Sequence, residues 1–174
     1  MSAEEIDRTL LRLAYEVVER NNGIDEVVLV GIRRRGVPLA HRLATRIARV
    51  ENREVPVATL EVTLYRDDLT MIAPQPVVKS KNLEVGVDGR TAVLVDDVLY
   101  TGRTIRASMN ALFDYGRPAR VQLCVLIDRG YRELPIEASY VGRLVHTAPK
   151  EIVEVRLQEV DSEERVVLVE QEPN

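Results

Sequence analysis

Three short apolar runs, separated by stretches with helical periodicity, constrain the fold of this chain more than any other feature. The runs lie at residues 26–30, 91–95 and 120–127 and are rich in Val and Leu. Residues 37–50 and 103–115 repeat their apolar side chains at helical spacing. Strands alternating with helices are typical of a parallel sheet with right-handed crossovers. The sequence therefore predicts an α/β fold whose central, mostly parallel sheet is flanked by helices.

The segments outside this alternation have weaker patterns. Ser2 followed by Glu5 matches a capping box, which predicts a first amphipathic helix that ends at Asn21. Further strands are predicted at residues 55–64 and 138–141, and in a closing antiparallel hairpin formed by residues 152–157 and 166–169 within a C-terminal section of about 151–170.

Composition limits the class of protein. A chain of 174 residues that is 45% hydrophobic and 30% charged fits a single domain, residues 1–174. No apolar run approaches the roughly 18 residues of a membrane span, and the N-terminus is acidic. We therefore expect a cytoplasmic protein without a membrane partner. Cys124 is the single cysteine and lies among apolar residues, which predicts an inert core position.

The string VLVDDVLYTGRTI, residues 93–105, carries the strongest chemical signal. Asp96 and Asp97 end an apolar run, where they can meet hydroxyl groups or a hydrated cation. Residues 101–104, Thr-Gly-Arg-Thr, then open a helix whose N–H groups, hydroxyls and dipole suit a phosphate. Acids and an anion cradle at this spacing suit a ribose 5-phosphate. The alternative is structural: an Asp that caps a turn and Thr101 as a helix N-cap.

Other nucleotide-binding motifs do not account for the string. The chain contains neither G-x-x-x-x-G-K-[ST] nor G-x-G-x-x-G, and no serine, cysteine or histidine lies in a recognisable nucleophile elbow. The string instead resembles the phosphoribosyl diphosphate (PRPP) fingerprint of the type I phosphoribosyltransferases. Residues 31–42, 63–68 and 128–136 narrow the resemblance to the PyrR family of pyrimidine operon attenuators and uracil phosphoribosyltransferases.

The resemblance implies transfer of ribose 5-phosphate from PRPP to uracil, giving UMP and diphosphate. Asp96 and Asp97 would hold the ribose hydroxyls, residues 101–104 the 5-phosphate, and Mg2+ would arrive with PRPP without a direct protein ligand. Asp96, Asp97 and Arg35 are the candidate catalytic residues. The implied contacts to PRPP or UMP are Val93, Leu94, Val95, Asp96, Asp97, Val98, Leu99, Tyr100, Thr101, Gly102, Arg103, Thr104 and Ile105.

Three further segments receive roles from the resemblance. The loop of Arg33, Arg34, Arg35 and Gly36 would bind diphosphate, although at least one of these arginines is expected to be solvated. Residues 66–88 match a mobile lid, with Tyr65, Arg66 and Asp67 as candidate anchors. Asp128 and Arg129 fall where the family holds the base. The near alternative is a phosphoribosyltransferase for a purine or for orotate, without a role in RNA binding.

The resemblance also implies a second activity, binding of pyrimidine operon leader mRNA when UMP is bound, and it adds UTP to the expected ligands. Residues 32–54 contain seven arginines against two glutamates, and Arg42, Arg46 and Arg49 share one helix face. That face is predicted to bind RNA, with an ordinary solvated face as the alternative. The resemblance further implies a homodimer or homotetramer. Residues 33, 34, 131 and 142–147 depart from the expected family pattern.

Overall fold

The computed structural model describes residues 1–62, 83–148 and 150–170. The elements of this part of the chain, in order, are α1 Ala3–Arg20, β1 Val27–Ile32, α2 Gly36–Glu51, β2 Val57–Leu60, β3 Thr91–Leu99, α3 Arg103–Tyr115, β4 Arg120–Asp128, β5 Tyr140–Leu144, β6 Glu151–Arg156, α4 Gln158–Asp161 and β7 Arg165–Glu170. None of the described helices is long and apolar enough to cross a membrane.

Within the described ranges the central sheet has five parallel strands, in the order β2-β1-β3-β4-β5. In its register Leu29 lies between Val57 and Val93, and Cys124 lies between Val95 and Tyr140. The α/β fold with a mostly parallel sheet and flanking helices is therefore confirmed.

Each face of the sheet buries its own apolar cluster, because successive strand side chains point to opposite sides. Leu29 and Val93 pack with α1 and α2 on one face. Val30 and Leu94 pack with Leu112 of α3 on the other. Aliphatic residues predominate in both clusters, as expected for parallel strands that are covered on both faces.

The first and third helices show how local signals set their bounds. In α1 the Ser2 hydroxyl accepts a hydrogen bond from the Glu5 N–H, and the Glu5 carboxylate accepts one from the Ser2 N–H, which confirms the predicted capping box. Helix α3 runs from Arg103 to Tyr115, as the periodicity predicted. Gly116 follows it at the C-cap.

The C-terminal strands β6 and β7 pair in antiparallel register, Val155 opposite Val166, where the alternating pattern predicted a hairpin. Val153, Val155 and Val166 are buried against the cluster that contains α1 and α2. The connection includes the four-residue helix α4, which the sequence analysis did not predict, since one helical turn is too short to show periodicity.

The structure extends one predicted strand, and it leaves most of the predicted lid outside the described residues. Strand β3 does not end at Val95: Asp96, Val98 and Leu99 still pair with β4, because β4 itself extends to Asp128. The two acids thus lie within the strand rather than in the loop after it. The predicted lid anchors Tyr65, Arg66 and Asp67, and most of the predicted lid, lie outside the described residues.

Candidate active site at the carboxyl edge of the sheet

The strand order places a topological switch point between β1 and β3, the position where open α/β sheets bind ligands. Gly36, the first residue of α2, lies directly against β3 there. A Cβ atom on Gly36 would fall 2.2 Å from the Val95 carbonyl oxygen and 3.3 Å from the Asp96 Cα. A side chain at position 36 would overlap the β3 backbone, so only glycine allows α2 to start this close to the strand. The preceding arginine loop therefore lies beside the two acids.

Asp96 and Asp97 have different environments although they are adjacent. Asp96 is 7% exposed, and one of its carboxylate oxygens accepts a hydrogen bond of 2.9 Å from the Asp97 N–H. Burial, and secondly the neighbouring Asp97 carboxylate, raise the pKa of Asp96 well above its usual range. Asp97 is only half-buried, and its carboxylate accepts from the Val98 N–H at 2.9 Å. The pair therefore presents one buried and one accessible carboxyl group.

The N-cap of α3 lies five residues beyond Asp97. Its N-cap is Gly102 at φ +90°, a left-handed conformation that favours glycine, and no N-cap side chain bonds the first turn. The Thr101 hydroxyl accepts a hydrogen bond of 3.3 Å from the Arg103 N–H. Thr101 is thus not the N-cap itself. The arrangement suits an anion bound by the main chain at the positive end of the helix.

Residues 128–136 hold the connection between β3 and α3 in place by hydrogen bonds to its carbonyl oxygens. The Arg132 guanidinium donates to the Tyr100 carbonyl oxygen at 2.9 Å and to the Asp128 carboxylate at 2.5 Å. The Glu133 N–H and the Leu134 N–H both donate to the Thr101 carbonyl oxygen, at 3.0 and 3.2 Å. Sequence reasoning assigned only a base region here and missed the supporting residues, because no local pattern reports a contact across some thirty positions.

The predicted base residues lie beside the same loop. The Arg129 N–H donates to the Leu99 carbonyl oxygen at 3.1 Å, and the Arg129 guanidinium carbon lies 4.0 Å from the centre of the Tyr100 ring. The Asp128 carboxylate accepts from the Gly130 N–H at 2.9 Å as well as from Arg132. The structure therefore brings Asp128 and Arg129 next to residues 93–105.

The three arginines of the predicted diphosphate loop differ in their contacts. Arg33 is exposed and pairs with Glu61, and Arg34 is exposed; the peptide bond between them is cis. Arg35 is partly buried and binds both carboxylate oxygens of Asp161, at 3.0 and 2.7 Å. This hydrogen bonding raises the pKa of Arg35 and lowers that of Asp161 to about 2.

The predicted RNA-binding face of α2 is largely engaged within the molecule. Arg42 binds the carboxylates of both Glu159 and Glu164, and Arg46 pairs with Asp7. The hydrogen bonds to Glu164 and Glu159 raise the pKa of Arg42. Arg49 is exposed. Arg42 and Arg46 thus hold the hairpin and α1 against α2, and an RNA role for this face stays a prediction.

Comparisons with a family model and with solved structures show the class of protein to which this chain belongs. The family model described as Phosphoribosyl transferase domain matches residues 2–160. The crystal structure of a hypoxanthine phosphoribosyltransferase from Trypanosoma cruzi superposes with a TM-score of 0.74 at 19% identity, over 99% of this chain and 95% of that one. One from Staphylococcus aureus gives 0.69 at 22% identity, over 87% and 77%. The chain therefore carries a phosphoribosyltransferase domain and shares its fold.

Curated relatives narrow the class. The chain is 59% identical to the Bifunctional protein PyrR of Pelotomaculum thermopropionicum, over 98% of this chain and 94% of that protein. It is 54% identical to the Bifunctional protein PyrR of Thermus aquaticus, over 99% and 95%. The chain belongs to the PyrR family of the type I phosphoribosyltransferases.

Proposed function

We propose that the protein transfers ribose 5-phosphate from PRPP to uracil, and that it binds pyrimidine operon leader mRNA when UMP is bound. The observation that carries the proposal is the juxtaposition of Asp96 and Asp97 with the N-terminus of α3, in a chain of the PyrR family. This edge offers two carboxyl groups near the end of β3 and a candidate phosphate site at the start of α3, within one continuous stretch of chain.

Each part of the edge has a task in this reaction. Asp96 and Asp97 accept hydrogen bonds from the ribose hydroxyls, and residues 101–104 bind the 5-phosphate through main-chain N–H groups. The bond between C1 of the ribose and diphosphate breaks, the bond from C1 to N1 of uracil forms, and N1 loses its proton. The oxocarbenium-like transition state requires positioning and charge stabilisation rather than a protein nucleophile.

Arg35 is the candidate group for the developing charge on diphosphate. Its guanidinium lies at the switch point and already binds a carboxylate bidentately, a geometry that also suits phosphate oxygens. Mg2+ bound with PRPP would neutralise part of the diphosphate charge. The described residues hold no cluster of metal ligands, which fits a cation whose ligands would be substrate oxygens and water.

A panel of bases tests the enzyme proposal. Uracil, hypoxanthine, guanine and orotate would each be incubated with PRPP and Mg2+, and diphosphate release measured. We expect turnover with uracil. Turnover with a purine or orotate but not with uracil would replace the proposal by the alternative base specificity. In either case Asp97→Asn should abolish turnover, while Asp114→Asn, an exposed carboxyl on α3, should not.

RNA binding is supported by the resemblance to the attenuator family and by the name bifunctional that the relatives bear. Arg42→Glu would place a third carboxylate beside Glu159 and Glu164 and so disturb the fold. Arg49 is exposed, so its substitution tests RNA binding by this face with less disturbance of the fold than substitution of Arg42.

Filter binding of leader RNA, with and without UMP, would measure the effect of Arg49→Glu. We expect weaker binding and a salt dependence reduced by about one unit of slope. Arg117→Glu is the matched control, because Arg117 is exposed and follows α3 on the other face of the sheet. Equal affinities of the two variants would place the RNA surface elsewhere.

The proposal includes the setting and assembly of the protein. Attenuation acts on nascent transcripts, which places the protein in the cytoplasm. The family resemblance supports a homodimer or homotetramer, and sedimentation equilibrium over a range of protein concentrations would distinguish these from a monomer.

A further inference from the structure

The C-terminal hairpin of β6, α4 and β7 contacts the carboxyl edge of the sheet on both sides of β3. On the β1 side, the Asp161 carboxylate at the end of α4 binds the Arg35 guanidinium. On the β4 side, the Glu151 carbonyl oxygen at the start of β6 accepts a hydrogen bond of 2.8 Å from the Arg129 guanidinium. The hairpin is therefore tied to the candidate site at two points.

The Asp161 carboxylate is held by its own hairpin as well as by Arg35. The Leu157 N–H donates to Oδ2 of Asp161 at 2.9 Å, and the Asp161 N–H donates to the Leu157 carbonyl oxygen at 2.7 Å. Leu157 is fully buried. Because one carboxylate oxygen is bonded to this buried main chain, Asp161 offers Arg35 a pair of acceptors in a defined position.

The main chain of Arg35 is fixed as well. Arg35 is the N-cap of α2, and its carbonyl oxygen accepts a hydrogen bond of 3.3 Å from the Leu39 N–H. The next residue, Gly36, packs against the β3 backbone. A free arginine side chain loses much rotamer entropy when it binds a ligand. Since both ends of the Arg35 side chain are held, this freedom is already lost before a ligand arrives.

The ion pair leaves part of the Arg35 guanidinium available. Asp161 bonds to Nε and Nη2, and Nη1 makes no hydrogen bond within the described residues. The Arg35 side chain is 33% exposed, so a ligand can reach it. Hydrogen bonding to Asp161 and, more weakly, the charge of Asp97 raise the pKa of Arg35. The guanidinium thus lies within electrostatic range of a candidate ribose contact.

We propose that Asp161 is a positioning residue for the transfer reaction, which holds the Arg35 guanidinium near Asp97 and leaves its remaining N–H groups available to the departing diphosphate. Asp161 acts through Arg35 rather than by contact with the substrate. A cation that is oriented in advance stabilises the charge developing on a leaving group without reorganising during the reaction. The inference rests on the proposed function and adds a residue of the C-terminal hairpin to the groups that act on diphosphate.

The reverse reaction, in which UMP and diphosphate give uracil and PRPP, tests the inference because the KM for diphosphate is measured separately from that for UMP. We expect Asp161→Asn to raise the KM for diphosphate about tenfold, since the amide offers Arg35 one acceptor and no charge. The KM for UMP should stay unchanged. Asp161→Glu restores the carboxylate and should recover most of the wild-type KM for diphosphate.

Glu164→Gln is the matched control in the same hairpin. The side chains of Glu164 and Asp161 are both 19% exposed, and each pairs with an arginine of the α2 segment. Glu164 accepts from Arg42 and from the Gln158 N–H at 3.0 Å, much as Asp161 accepts from Arg35 and from a main-chain N–H. Glu164→Gln should cost similar stability but keep both KM values, because Arg42 lies about two turns further along α2.

A double variant separates an effect through Arg35 from a general loss of order. In an Arg35→Gln background, Asp161→Asn should cause no further rise in the KM for diphosphate. A further rise there, or an equal rise in Glu164→Gln, would overturn the inference and leave the proposed function standing. An unchanged KM in Asp161→Asn would do the same, as would a lower one, which would mean that Asp161 competes with diphosphate for Arg35. Failure of the wild-type protein to form uracil from UMP and diphosphate would overturn both.

Discussion

The Arg35 guanidinium binds the Asp161 carboxylate through two parallel hydrogen bonds, Nε to Oδ2 at 3.0 Å and Nη2 to Oδ1 at 2.7 Å. Arg35 ends the predicted diphosphate loop, and Asp161 ends helix α4 in the C-terminal hairpin. The Asp161 carboxylate also accepts from the Leu157 N–H at 2.9 Å. One ion pair thus joins the switch point of the sheet to the hairpin.

This pair gives stability a defined dependence on pH. The hydrogen bonds from Arg35 and Leu157 lower the pKa of Asp161 to about 2, so the native state binds this proton less readily than the unfolded chain. The stabilisation is present above the unfolded pKa of about 4 and is lost as the pH falls towards 2. Asp161→Asn should therefore lower the free energy of unfolding by about 0.5–1 kcal/mol at pH 7, and by less at pH 3.

Denaturant unfolding at both pH values measures this difference. Asp25→Asn is the matched control, because Asp25 forms a highly exposed ion pair with Arg53 and should contribute less. A deficit of Asp161→Asn that does not shrink in acid would contradict the assignment.

The close approach of Gly36 to β3 leads to a second prediction. Gly36→Ala should destabilise the fold by about 1–3 kcal/mol, because its Cβ would overlap the Val95 carbonyl oxygen and force α2 away from the sheet. The same shift would separate Arg35 from Asp97 and reduce turnover. Gly86→Ala, where a Cβ meets nothing within 4 Å, should leave the melting temperature unchanged.

Because Asp96 is buried, replacing it with asparagine should stabilise the fold and abolish activity. Since burial and Asp97 raise its pKa, the native state holds this proton to higher pH than the unfolded chain, and stability falls as the pH rises above about 4. Asp96→Asn removes this loss. Its melting temperature should exceed that of the wild type at pH 8 and converge with it near pH 4, while phosphoribosyl transfer is lost.

Thermal unfolding across this pH range would test the Asp96 prediction. Asp114→Asn, on the exposed side of α3, should show no such divergence. A lower melting temperature of Asp96→Asn at pH 8 would mean that the ionised carboxylate is stabilised in the free protein.

Cys124 should not react with thiol reagents in the native state. Its side chain is buried in the centre of the sheet, and burial raises the pKa of the thiol to about 12, whereas the reactive species is the thiolate. Labelling with a disulfide reagent at pH 8 should be slow and should become complete in denaturant. Rapid native labelling would contradict the core position.

Much of this molecule follows from neighbouring residues. The Ser2 and Glu5 capping box, the bounds of α3 and the parallel strands were predictable because each depends on contacts or periodicity within a few positions. The string of residues 93–105 was also readable, because the candidate ribose and phosphate groups are contiguous in it. Local chemistry thus determined the class of fold and the nature of the main site.

Tertiary structure decided which groups meet. Residues more than a hundred positions apart form the pairs of Arg35 with Asp161 and of Arg42 with Glu159 and Glu164, so no local pattern separated them from free arginines. The continuation of β3 through Asp96 depends on the length of β4. Side-chain partners and burial are properties of the packed chain, because folding alone brings distant residues within hydrogen-bonding distance.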